Sequence, residues 1–235
     1  MTQPPPLRPN HSGLDSLGLQ LTPQCEVSCA HCLSDSGPEG LRLPDWKRVI
    51  SEAAALGIPL IELGGGDPLA HRDCPVLVEH ALGHGLRIAV RTALLDVSPL
   101  WWDLLAHDGV TLVTRYYSDL AREHDRITGL PRSHARTRAH LVRAHRRHLP
   151  VRVHVEEVFE GQRVRQAVAD VVSIGITDVT VGAVRAVHGA DGDAVVLRTG
   201  DLAVSRYLPC GNVLTSGLGS LLAVDAWERD TKARR

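Results

Sequence analysis

Leu17-Gly-Leu-Gln-Leu-Thr22-Pro-Gln-Cys25-Glu-Val-Ser-Cys29-Ala-His-Cys32 is an apolar run that stops at a proline and gives way to three closely spaced cysteines. A short leucine-rich run without strict alternation fits a strand buried on both faces. Runs of the same kind recur at Ile58–Leu63, Leu86–Thr92, Val110–Tyr117, Val151–Val158 and Asp178–Val184. Helix-like stretches fill the gaps: Asp45–Leu56, Val76–Gly83, Pro99–His107, Ser133–His148 and Val164–Ile174. Gly57, Gly85, Gly109 and Gly175 each follow one of them, where a left-handed cap is wanted. Strands alternating with helices predict an α/β fold with a parallel sheet. Right-handed crossovers in series curl such a sheet into an open or closed barrel, with the functional loops at the C-terminal strand ends.

The flanks read differently. Residues 1–16 are a Pro-rich, irregular lead-in, and the alternation breaks after Val187. The expected organisation is therefore a lead-in over 1–16, a barrel over 17–187 and a short extension over 188–235 that packs on the barrel.

Composition excludes several classes. The 235 residues carry 26 Lys+Arg against 27 Asp+Glu, a net charge of -1, whereas a dedicated nucleic-acid binder has a basic surplus. No apolar run reaches the roughly 18–20 residues of a membrane span, and MTQPPPLRPNHSG lacks the apolar centre of a secretory signal. The expectation is a cytoplasmic protein with neither nucleic acid nor membrane as partner. With one Phe, four Trp and three Tyr, its core is expected to be aliphatic. Five cysteines in such a compartment stay reduced, so a disulfide framework is not expected.

Three thiols in one tight loop bind zinc or an iron–sulfur cluster, both of which take soft sulfur ligands. A structural zinc wants four protein ligands, and His31 is the one nearby candidate for the fourth. An iron–sulfur cluster held by Cys25, Cys29 and Cys32 leaves one iron open, which suits catalysis.

The C-x₃-C-x₂-C spacing behind a first strand resembles the radical S-adenosylmethionine (SAM) enzymes. The resemblance implies a partial (β/α)₆ barrel, a [4Fe–4S] cluster on the three cysteines, and SAM chelated to the open iron. Reductive cleavage of SAM then gives a 5′-deoxyadenosyl radical that abstracts a substrate hydrogen. Gly64-Gly65-Gly66-Asp67-Pro68 is similar to the family's GGEP segment, which holds the ammonium of SAM; Asp67 stands in place of Glu and is one methylene shorter. Without the cysteines the same five residues read as a plain βα turn.

The resemblance assigns Ser118 and Asp119, beyond the fourth strand, to the SAM ribose; a turn with a helix cap is the alternative. Arg91 is a candidate partner for the SAM carboxylate, with an ion-paired arginine as the competing reading. His124-Asp-Arg-Ile-Thr-Gly129 resembles a run in peptide-modifying members. The Arg-rich segment 131–149 is expected to be a solvated outer helix whose inner face carries Ala139, Val142 and Ala144.

Residues 202–212 resemble part of the C-terminal extension, called SPASM, that holds further clusters in peptide maturases. Cys210 stands alone there, so no auxiliary cluster is expected, and Cys210 and Cys74 read as free thiols. The lead-in is too short for the leader-binding domain of many maturases. The resemblance therefore implies a ribosomally made precursor peptide as substrate, a separate leader-recognition protein, and a ferredoxin or flavodoxin as reductant. A small-molecule substrate and a catalytically silent, partner-binding relative are the alternatives.

Overall fold

The computed structural model describes residues 9–10, 12–32, 40–183, 193–204 and 208–223. Six parallel strands run in chain order: β1 (Leu17–Thr22), β2 (Leu60–Gly65), β3 (Arg87–Arg91), β4 (Val110–Tyr116), β5 (Val151–Glu157) and β6 (Val179–Ala183). Helices α1 (Leu43–Ala55), α2 (Cys74–Gly83), α3 (Pro99–Leu104), α4 (Ala121–Thr128), α5 (Ser133–Arg146) and α6 (Val164–Ile174) join them. Each strand pairs with the next, and β1 does not pair with β6, so the barrel stays open.

Beyond β1 the sheet continues. β7 (Ala194–Val196) pairs parallel with β1, and β8 (Asp201–Val204) and β9 (Leu208–Asn212) follow antiparallel. A short helix, α7 (Leu218–Leu222), ends the described chain. The extension thus prolongs the barrel's own sheet, a closer union than packing on its surface. The expected end of the sixth strand at Val184 and most of the turn-rich stretch 188–193 lie outside the described residues, as does most of the lead-in.

Both faces of the central strands are covered. Leu17, Leu19, Leu21, Ile61, Leu63, Ile88, Val90, Leu112, Val153 and Val155 are all buried. Burial at roughly 25 cal/mol per Å² of apolar surface makes this aliphatic layer the main source of stability. The core is less purely aliphatic than composition implies, because Trp46, Trp101, Trp102, Tyr116 and Tyr117 are buried in it too.

Gly57, Gly85 and Gly175 take the left-handed conformation after their helices, at φ of 77°, 76° and 103°. Gly109 does not: three residues, Ala106–Asp108, separate it from Leu105, the C-cap of α3, so no cap is required of it. α5 is also rotated from expectation. Its inner face is Ser133, Thr137, Leu141 and Ala144, while Ala139 is exposed. Hydroxyls replace alanine inside because Thr137 donates to the carbonyl of Ala93 at 2.9 Å. Among the described residues no helix is long and apolar enough to cross a membrane.

Candidate functional site

The loop after β1 carries Cys25, Cys29 and Cys32, all free thiols. It makes one turn of its own, from Cys32 N–H to the carbonyl of Cys29 at 2.9 Å. Among the described residues its backbone is also tied to neighbours on two sides. On one side Gly66 N–H donates to Thr22 and Asp67 N–H to Gln24, at 2.5 and 2.7 Å. Gly65 sits at φ 105°, and a side chain on Gly66 would collide with the carbonyl of Gln24. The glycines are therefore required by the close approach of the two loops. On the other side Ser28 and Ala30 donate to the carbonyls of Thr128 and Ile127 at 2.9 and 3.1 Å.

The three cysteines line one open cleft of about 870 Å³ at the C-terminal ends of the strands. Gly65, Gly66, Arg91, Arg115, Tyr117 and His154 line it as well. Cys25 opens onto the cleft, yet the surrounding protein strips enough water to push its thiol up to about 11. Burial raises the Cys29 thiol too, against a contact from the Tyr117 hydroxyl at 3.9 Å. Losing these protons calls for a strong cationic acceptor. Among the described residues no three His, Cys, Asp or Glu side chains converge as ligands of a single ion. His31, the candidate fourth zinc ligand, instead places Nε2 3.4 Å from Glu156 and 3.3 Å from the Tyr117 hydroxyl. Three thiols around an open cleft, which with Nε2 of the nearby histidine engaged do not converge on a single ion, fit a polynuclear iron–sulfur group better than mononuclear zinc.

Glu156 is buried, which works to raise its carboxyl. The contact of His31 at 3.4 Å and the charge of Arg115, 3.2 Å away, outweigh this and leave it below the usual carboxylate range. Desolvation holds the Tyr117 hydroxyl well above its ordinary value, so it stays a phenol. None of Arg115, Tyr117, Glu156 and His154 belongs to a sequence motif. Their shared signal is position, at or near the C-terminal ends of β4 and β5.

Other predicted site residues divide. Asp67, 8% exposed, spends its carboxylate inside the protein. One oxygen accepts from Leu69 N–H at 3.0 Å, the other from Thr92 Oγ1 at 2.8 Å and Ala93 N–H at 3.0 Å. Burial raises its carboxyl despite these donors. Pro68 opens a single 3₁₀ turn, Pro68–Ala70, capped by Asp67. Arg91 lines the cleft while donating Nε and Nη2 to Glu62 at 2.9 and 2.6 Å, as the ion-pair reading expects.

Ser118 Oγ accepts from Leu120 N–H at 3.1 Å, the turn reading. Asp119 takes both arms of Arg163 at 2.8 Å. Chiefly that bond, against some burial, lowers its carboxyl. Gly64, Asp67, Pro68, Ser118 and Asp119 lie outside the cleft lining. Cys74 is fully buried and its thiol pushed far up by desolvation, while Cys210 packs against the core.

Comparison with known proteins adds to this geometry. A family model described as the Radical SAM superfamily matches residues 19–159. A PqqA peptide cyclase of Rhodopseudomonas palustris is 32% identical over 123 residues, covering 50% of this chain and 33% of that protein. An AdoMet-dependent heme synthase of Methanosarcina barkeri is 30% identical over 125 residues, or 51% of this chain and 36% of that protein. The chain thus spans about a third of the length of these relatives. In fold it is similar to Streptococcus suis SuiB bound to the precursor peptide SuiA, with TM-score 0.76 at 11% identity, over 91% of this chain and 65% of SuiB. It is also similar to anSMEcpe with bound AdoMet, with TM-score 0.74 at 10% identity, over 91% of this chain and 81% of that one.

Proposed function

Because the chain belongs to the radical SAM superfamily, we propose that it is an enzyme that cleaves SAM at a [4Fe–4S] cluster and abstracts a hydrogen from a ribosomally made peptide. The observation that carries this reading is the presence of Cys25, Cys29 and Cys32 on the wall of one cleft, at the C-terminal ends of parallel strands. In that reading the three thiolates hold the cluster. When bound, the reduced cluster would supply one electron to the SAM sulfonium, whose C5′–S bond would break to give methionine and a 5′-deoxyadenosyl radical.

The chain's own residues hold and shield. Gly65 and Gly66 keep the cysteine loop against the second strand, and α4 keeps it from the other side. The family resemblance assigns Gly64–Pro68 and Arg91 to the aminoacid end of SAM and Ser118 and Asp119 to its ribose. Gly65, Gly66 and Arg91 already line the cleft, whereas Ser118 and Asp119 would have to leave their turn and their pair with Arg163. Tyr117 and His31 close the cleft wall beside Cys29, where excluding water protects a radical from quenching. A ferredoxin or flavodoxin supplies the electron.

The peptide assignment is supported by a similar sequence named a peptide cyclase and by a similar fold solved with its precursor peptide. A small-molecule substrate is the second reading, favoured by the relative named a heme synthase. A deuterated precursor peptide separates the two. Deuterium appearing in 5′-deoxyadenosine supports the peptide, and its absence alongside turnover of a small metabolite assigns the alternative.

A further inference from the structure

His124, on α4, is 1% exposed and lines the cleft. The rings of Tyr116, Tyr117 and His134 surround it, with centroids 5.2, 5.4 and 5.4 Å away. Its Nδ1 lies 3.1 Å from Ser133 Oγ, while its buried Nε2 has no hydrogen-bond partner among the described residues.

The neighbouring bonds fix where its proton sits. Asp125 accepts from Arg132 N–H, His134 N–H and Ser133 Oγ at 2.6, 2.9 and 2.9 Å. Burial opposes its charge, but these donors hold the carboxyl below its ordinary range. An ionised carboxylate only accepts, so the single proton of Ser133 points at Asp125. Ser133 Oγ therefore accepts from His124, and Thr128 Oγ1, 2.7 Å from it, adds at most a second donor. Burial, with His134 beside it, drops the imidazole to about 4, so the ring is neutral with its one proton on Nδ1. Nε2 is a bare lone pair kept from water, an arrangement that buried polar groups avoid unless something fills it.

Two more buried atoms without hydrogen-bond partners among the described residues, His31 Nδ1 and Thr114 Oγ1, belong to residues lining the same cleft. One side chain, Tyr117, separates His124 from Cys29. Its ring faces His124, and its hydroxyl is 3.9 Å from the Cys29 sulfur. A molecule anchored at the cluster by its amino and carboxylate groups retains the donors of its ribose hydroxyls and adenine amine.

We infer that His124 is a binding residue for the nucleoside half of SAM, its Nε2 accepting a hydrogen bond from a ribose hydroxyl or the adenine amine. The assignment rests on the cofactor reading above and extends it to a residue outside the glycine-rich and ribose segments.

The test uses reconstituted, oxidised holoenzyme, with SAM and free methionine as probes in separate titrations. In His124→Asn the amide nitrogen takes the place of Nδ1, keeping Ser133 bonded while the far acceptor is lost. In His124→Gln the amide oxygen reaches the position of Nε2. Loss of one neutral hydrogen bond is expected to weaken SAM binding about three- to tenfold in His124→Asn. Methionine, which lacks the nucleoside, should bind as before, and His124→Gln should recover most of the SAM affinity. Should the Asn variant fail to load iron, His124→Phe, which keeps an aromatic ring there but no acceptor, carries the same expectation. Unchanged SAM affinity in the loaded variant, or equal loss for SAM and methionine, overturns the inference. A wild-type holoenzyme that binds no SAM overturns the cofactor reading and this inference with it.

Discussion

The backbone N–H of Ser28 donates to the carbonyl of Thr128 at 2.9 Å, so the loop between Cys25 and Cys29 hangs from the last turn of α4. Gly129, at φ 67°, ends that turn, and a side chain there would stand 2.7 Å from the Ser28 carbonyl. The Gly129→Ala substitution combines this clash with a left-handed conformation that costs about 1–2 kcal/mol. Iron per chain and visible charge-transfer absorption are expected to fall in this variant, with far-ultraviolet circular dichroism unchanged. Full iron loading would show that the cysteine loop does not depend on α4.

Asp67 joins the glycine loop to the end of β3 through Leu69, Thr92 and Ala93. Removing it leaves buried donors unmet, so Asp67→Ala is expected to lose about 2–3 kcal/mol of stability. For a chain of this size that is a fall of roughly 5–10 °C in Tm. Asp67→Asn keeps one acceptor oxygen and separates the two roles. Stability recovers in part, while a residue that holds the SAM ammonium leaves SAM affinity about tenfold down. An unaltered Tm in Asp67→Ala would contradict the structural role.

Glu62 is 7% exposed and faces Arg91 at 2.6 Å. Breaking the pair in Arg91→Met strands a mostly buried carboxylate, an expected loss of about 2–3 kcal/mol. The double substitution Arg91→Met with Glu62→Gln should recover much of it. Equal stability of the single and double variants in urea titration would show that the stranded carboxylate carries no penalty, and equal stability of wild type and Arg91→Met that the pair contributes nothing.

The buried, neutral His124 has a folded-state pKa, about 4, below the ordinary value near 6.5. Between those values the unfolded chain binds more protons than the folded one. Its contribution to stability is therefore complete above about pH 6.5 and drains away as pH falls towards 4. The slope is at most about 1.4 kcal/mol per pH unit. The difference in urea stability between wild type and His124→Asn should shrink from pH 7.5 to pH 5. A difference that is constant across that range would contradict the buried neutral ring.

Much of the fold was legible because apolar runs and helical stretches alternate so regularly. Leu17–Thr22 and Val164–Ile174 coincide with β1 and α6 to the residue. α4 escaped because Ala121–Thr128 is short and highly polar, and the face it buries, His124, Ile127 and Thr128, holds a single apolar residue. The strands beyond β1 escaped because three- to five-residue strands carry too little pattern to read. In the site, the cysteines announce themselves by spacing. Tyr117 and Glu156 belong to it only because β4 and β5 meet in space, and His124, which opens the run His124–Gly129, gave no sign in sequence that its ring faces the cleft. An ion-paired Arg91 was foreseen but its partner Glu62, 29 residues away, was not, and the pair of Asp119 with Arg163, 44 residues away, was invisible.

The central claim is that Cys25, Cys29 and Cys32 hold a cluster that cleaves SAM. Oxygen-free reconstituted protein is expected to carry close to four irons per chain and, with strong reductant and SAM, to release 5′-deoxyadenosine. The variant with all three cysteines replaced by Ala should do neither. Tightly bound zinc without visible absorption, or a fully loaded, SAM-binding protein that releases no 5′-deoxyadenosine even with candidate substrates present, would contradict the account.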